Sequence, residues 1–174
     1  QCLDATLFVA EDGRPWTVFC HEWQQVHDGG MWAMPLTADL KRADGRPVWL
    51  FNASEAPWTR PLRLPPAKAR AFDVHVTDGP FLWRTASGAL LMLWSSFTEA
   101  GYAMGVARSA SGTILGPWEH EPTPLIDGGC GHGMVFRDLE GGLRATYHSP
   151  NDTPRERPVI RRLREDGDTL RLAD

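Results

Sequence analysis

Cysteine is scarce and unpatterned in this chain. Cys2, Cys20 and Cys130 are odd in number and show no Cys-x-x-Cys spacing, so neither a disulfide framework nor a zinc site is expected. No apolar run approaches the roughly 18 residues that a membrane-spanning helix needs. Excess positive charge is missing too. The formal net charge is −4, which gives no electrostatic footprint for nucleic acid. The late arginines, from Arg155 to Arg171, are interrupted by Glu156, Glu165, Asp166 and Asp168, the pattern of a solvated edge. The expected partners therefore exclude nucleic acid and membrane. Long helical periodicity is absent as well. The first residues carry no charged-then-apolar leader pattern, which leaves location undecided.

What the sequence does contain is an internal repeat and many large aromatics. At 174 residues, 42% of them apolar, it is long enough to bury a core as one domain. Eight Trp and seven Phe suit a core, and they also suit a surface that packs against apolar sugar faces. Three segments share one pattern. Asp4-Ala5-Thr6-Leu7-Phe8-Val9 leads through a Gly13 turn to Trp16–Trp23. Asp78-Gly79-Pro80-Phe81-Leu82-Trp83 leads through Gly88 to Leu90–Ser96. His132-Gly133-Met134-Val135-Phe136-Arg137 leads through Gly141-Gly142 to Leu143–His148. Each opens on an ionisable residue that an apolar strand does not require. The first unit reads as strands near 5–10, 15–23, 30–36 and 47–52. The second gives 80–84, 89–96, 101–108 and 116–120, and the third 133–137, 142–148, 157–163 and 169–172. Four short strands per repeat is the signature of a β-propeller blade. The fold class is thus all-β: one partial propeller domain over 1–174, with blades near 1–55, 70–125 and 130–174. Residues 57–69, rich in Pro and Arg, are expected to form a long surface loop. Three blades do not close a ring, and the chain opens on Gln1-Cys2-Leu3-Asp4 almost inside a strand. The expectation is the C-terminal part of a longer propeller, or a ring completed by a second copy. Strand starts in a radial array converge, so Asp4, Asp78 and His132 are expected to meet.

Several runs, in order, resemble glycoside hydrolase family 43. They are Leu3–Phe8 with Val18–Trp23, Val76–Phe81 with Leu93–Ser96, Gly116-Pro117-Trp118, and Gly131–Phe136 with Tyr147-His148. The resemblance implies a five-bladed propeller that hydrolyses arabinose- or xylose-containing polysaccharides with inversion. It implies a secreted or periplasmic location and a carbohydrate substrate. Three carboxylates do the work in that family: a base Asp, an Asp that tunes the acid, and a general-acid Glu. Asp4 matches the tuning Asp. Asp78 stands where the family pattern has the Glu of Glu-Gly-Pro. His132 matches a histidine near the axis that helps hold a central calcium in many members, although its surroundings supply few of the oxygens calcium prefers. The blades that carry the base are absent from these residues, so upstream blades or a second copy would be needed.

Inverting hydrolysis needs a protonated acid and, across the scissile bond, a carboxylate that activates water. A neighbouring carboxylate keeps the acid protonated by like-charge repulsion. Asp78 is one methylene shorter than Glu, so three readings stay open at this point. Asp78 is the acid; or Glu22, beside His21, takes that role; or the propeller binds sugar or another partner without catalysis. Substrate-binding candidates are His21, Trp23, Trp58, Trp94, Ser95, Arg108 and His148. Trp58 is expected to be exposed in the long loop. Arg108 is expected either to reach a site carboxylate or to form a surface ion pair.

Overall fold

The computed structural model describes residues 1–173. Twelve strands form three four-stranded antiparallel sheets, each in plain chain order from inside to outside. The first holds β1 (Cys2–Val9), β2 (Pro15–His21), β3 (Gly30–Pro35) and β4 (Val48–Asn52). The second holds β5 (Asp78–Arg84), β6 (Leu90–Thr98), β7 (Gly101–Ser109) and β8 (Trp118–His120). The third holds β9 (Gly131–Arg137), β10 (Leu143–Ser149), β11 (Arg157–Asp166) and β12 (Thr169–Leu172). The sheets are successive blades of a partial propeller. The innermost strands lie side by side, with β5 between β1 and β9.

Strand β6 shows why the middle blade is the hub. Its run Leu90-Leu91-Met92-Leu93-Trp94 is buried throughout. Side chains alternate across a sheet, so Leu90, Met92 and Trp94 join the core shared with the first blade, while Leu91 and Leu93 join the core shared with the third. A strand covered on both faces reads as a continuous apolar run. Strand β10 has one face on the hub. Leu143, Ala145 and Tyr147 are buried, and the residues between them are not.

Three details depart from the sequence reading. Strand β2 stops at His21, and a four-residue turn of helix, α1 (Trp23–Val26), follows. The chain must leave the ladder there, because His21 already pairs with Gly30 of the next strand. Strand β5 begins at Asp78 and not near 80. Trp58 is not an exposed platform. It is 5% exposed and packs on Trp94 with ring centroids 4.9 Å apart, so the loop that carries it dips into the core between the first two blades.

Trp94 is fully buried among Phe51, Trp58 and His120. Trp94→Ala is expected to lower unfolding free energy by about 3–5 kcal/mol. The half-exposed Trp49 should tolerate the same change within about 1 kcal/mol. Urea unfolding of both variants checks the contrast.

Candidate active site

The innermost strand of every blade contains the same irregularity. Leu3 pairs with Cys20 and Thr6 with Val18; Asp78 pairs with Ser95 and Phe81 with Leu93; Gly131 pairs with His148 and Met134 with Thr146. In each case the inner strand spends one residue more than its partner, which is a β-bulge. The left-handed residues at the bulges are Asp4 (φ 55°), Gly79 (φ 52°) and His132 (φ 52°). Asp78 is therefore not the structural counterpart of Asp4 and His132, as the repeat suggested. It lies one residue earlier, in register with Leu3 and Gly131. The sequence alignment matched ionisable residues, and the bulge shows that the matching position in the middle blade is a glycine.

That glycine is where the three blades meet. The Gly79 N–H donates to Asp4 Oδ2 at 3.2 Å. A Cβ on Gly79 would lie 2.8 Å from Cδ2 of the His132 ring, so only glycine accommodates both the left-handed turn and the imidazole. Asp4 and His132 adopt the same turn without that freedom. Such backbone is uncommon for other residues and tends to occur at functional sites.

Asp78 is enclosed beside this junction. Its carboxylate accepts a hydrogen bond from the Tyr102 hydroxyl at 2.9 Å. Burial raises its pKa to about 6, against the lowering effect of the Tyr102 hydrogen bond. Negative charge on Asp4 and on Glu22 raises it further, and His132 offsets part of that. Burial likewise drives the Tyr102 hydroxyl far upward, with Asp78 adding to the effect. The Cys20 thiol is raised well above its usual range by burial and then by Asp78 and Asp4, so it is no nucleophile. Glu22 is 7% exposed, and its Oε1 is buried without a hydrogen-bond partner.

An open pocket of about 600 Å³ runs past the junction, lined among others by Asp4, Gly79, His132, His148, Glu156 and Arg157. Asp78 is not part of that lining, since Gly79 stands in its place. His148 lines this pocket, and it pairs with Gly131 across the third blade. It stacks on Tyr102 at 5.6 Å with 15° between the rings, and its Nε2 is 2.9 Å from Asn151 Oδ1. Sequence reading missed Tyr102 and Glu156. Tyr102 was visible only as part of an apolar strand. Glu156 lies in a polar connection, where a Thr153 hydroxyl bond holds its carboxyl below the usual range.

Other candidates are not gathered at the pocket. Ser95 is fully buried; its Oγ accepts the His132 N–H at 2.8 Å, joining two blades and leaving no room for sugar. Trp94 and Trp58 are core. Arg108 pairs with Glu119 and is opposite Leu91, four positions from the Ser95 level where Asp78 pairs, so it does not reach the carboxylates. His21 alternates to the face opposite Cys20 and meets Trp32 edge-on at 6.3 Å. Trp23 belongs to α1 and lines a separate cavity. His132 offers one nitrogen, and among the described residues no group of three His, Cys, Asp or Glu side chains is placed to hold a metal ion. Calcium takes six to eight oxygens, so these residues by themselves do not build a calcium site.

A family model described as glycosyl hydrolases family 43 matches residues 1–168. The chain belongs to glycosyl hydrolases family 43. Among solved structures it is similar to an endo-arabinase from Bacteroides thetaiotaomicron VPI-5482. Identity is 45% and the TM-score 0.87, over 95% of this chain and 57% of that one. It also resembles an endo-1,4-beta-xylanase from the same organism, at 21% identity and TM-score 0.77 over 99% and 58% of the two chains. A third is an alpha-L-arabinofuranosidase from Lactobacillus brevis, at 19% identity and TM-score 0.73 over 97% and 54%. The last two establish only that the fold is shared. No curated protein matches the chain. The family 43 chain thus spans a little over half the length of each of these three structures.

The raised carboxyl has a consequence for stability. A folded-state pKa of about 6, above the ordinary value of 3.8, means the native state binds the extra proton between those limits. Asp78 therefore favours folding below pH 3.8 and progressively opposes it as pH rises through 6. Asp78→Asn should stabilise the protein at pH 8, by on the order of 2–3 kcal/mol, with no gain at pH 4. Urea unfolding at the two pH values measures the difference.

Proposed function

We propose that the chain supplies the acid half of an inverting glycoside hydrolase that cleaves arabinan-type polysaccharides. The observation that carries this reading is the Asp78 carboxyl, held near pKa 6 by burial and by Asp4. A general acid must remain protonated at working pH and then release its proton, and a carboxyl tuned to about 6 meets both demands near neutrality. In this reading Asp78 protonates the leaving oxygen. Asp4, fixed by the Gly79 N–H, keeps that proton in place. His132 and His148 border the sugar. The arabinan preference is supported by the 45% identical endo-arabinase.

The general base is assigned to residues outside 1–174, in further blades or a second copy. The strain at Asp4 and His132 and the open pocket support a substrate-binding use of the junction. A second reading has its own observation. Glu22 is buried with one carboxylate oxygen unpartnered, and its charge acts on Asp78, so Glu22 as the acid, with Asp78 tuning it, is the alternative.

Hydrolysis of linear arabino-oligosaccharides by the protein together with its remaining blades tests both. Asp78→Asn is expected to lower kcat by about 10²–10⁴, with Glu22→Gln affected less. The reverse order transfers the acid role to Glu22. Activity unchanged in both variants excludes both residues as the acid, and absence of hydrolysis by the unsubstituted protein, with sugar binding retained, leaves a non-catalytic carbohydrate-binding propeller. The 174 residues alone should turn over no substrate, and robust turnover by them would place the base within this chain.

A further inference from the structure

A second cavity is built for a different chemistry. Residues 56–72 carry Arg60, Arg63, Lys68 and Arg70 and no acid, although the protein as a whole is acidic. This strap is held in place. Arg60 N–H donates to the Phe97 carbonyl at 2.7 Å and Leu62 N–H to the Val74 carbonyl at 2.8 Å, while Phe72 stacks on His27 at 3.7 Å. Between the strap and α1 lies a cavity of about 570 Å³ with Trp23, Leu62, Leu64, Lys68 and Arg70 in its lining.

The charges differ in what they do. Arg63 pairs with Glu99, and Arg60 bonds the Pro57 and Thr59 carbonyls. Among the described residues Lys68 and Arg70 pair with no carboxylate. The Arg70 guanidinium lies 5.8 Å from the Trp23 ring centroid. That contact keeps the guanidinium, with its fork of N–H donors, beside the indole. No carboxylate lines the cavity. Two unpaired cations beside an indole and two leucines suit a ligand with one apolar ring face and one negative group.

We propose that this cavity is a subsite for an acidic sugar, a uronate unit whose carboxylate pairs with Lys68 and Arg70 while its ring packs on Trp23 and the leucines. Trp23 directly follows Glu22, whose charge acts on Asp78. The cavity shares no lining residue with the axial pocket, so it holds a part of the chain or branch that is not being cleaved. The inference rests on the glycosidase reading for the presence of a polysaccharide, but its binding chemistry stands by itself.

Calorimetric titration of the purified protein with trigalacturonate, with a glucuronate-bearing xylo-oligosaccharide and with neutral arabinotriose tests it. At least one uronate ligand should bind roughly tenfold or more tighter than the neutral one, and the tighter of the two identifies the uronate. Its affinity should fall as salt rises. Lys68→Ala with Arg70→Ala should remove the preference and leave affinity for arabinotriose unchanged; both residues are exposed, and a thermal melt verifies that the variant is folded. Equal affinity for acidic and neutral ligands overturns the proposal. So does a preference that survives the double variant, or equal binding of a sulfated oligosaccharide, which is general anion capture. Asp78→Asn should leave uronate binding intact. Uronate preference without any hydrolysis by the unsubstituted protein fails the catalytic reading alone, and hydrolysis that Asp78→Asn abolishes, without any uronate preference, fails this one alone.

Discussion

The bulge in each innermost strand inserts one left-handed residue where the three blades converge. At that point the strand cannot continue its ladder, and its backbone N–H and side chain turn toward the neighbouring blade. Asp4, Gly79 and His132 use this in three ways. Asp4 presents a carboxylate, Gly79 answers with an N–H, and His132 lays its ring over the space a Cβ would take. Ser95 then binds the His132 backbone from the middle blade. The contacts are mutual, so none of the three can change type without disturbing the others. This is how a modest strain cost at Asp4 and His132 is retained in a fold that otherwise needs only alternating apolar strands.

The same bulge explains the electrostatics. Because Asp78 precedes the left-handed residue, it pairs at the level of Ser95, behind the junction and close to Cys20 and Glu22. Burial is the first cause of its raised pKa, and the Asp4 and Glu22 charges reinforce it. Tyr102 opposes them by donating to the ionised form. The balance leaves the carboxyl poised near neutral pH. Without Tyr102 it would be held more firmly protonated; without the neighbouring carboxylates it would ionise more readily.

Much of the fold was legible because it is carried by pattern. The apolar segments Leu90–Ser96 and Leu143–His148 were readable as strands, while the faces that they bury emerge only from the packing of the blades. The glycine turns marked the hairpins. What sequence could not show was register. A bulge adds one residue without any change in composition, so Asp78 seemed equivalent to Asp4. Trp58 was misplaced for a related reason. Its neighbours Pro57, Arg60 and Pro61 read as a surface loop, and only the tertiary space beside Trp94 and Gly105 reveals an indole turned inward. Arg108 and Ser95 were near the site in sequence pattern, but one is held by Glu119 and the other is enclosed.

The one-residue offset also bears on why an aspartate stands where the family pattern has a glutamate. The family glutamate has an extra methylene with which to reach the reacting oxygen. In this chain Asp78 is shorter, lies behind Gly79, and is anchored by Tyr102, so its reach is fixed by backbone and not by rotamer. Glu22, whose charge acts on Asp78, has the missing methylene and a buried carboxylate oxygen with no partner. An unpartnered buried carboxylate oxygen is costly, so the fold retains Glu22 at a desolvation cost that alternating apolar strands do not require.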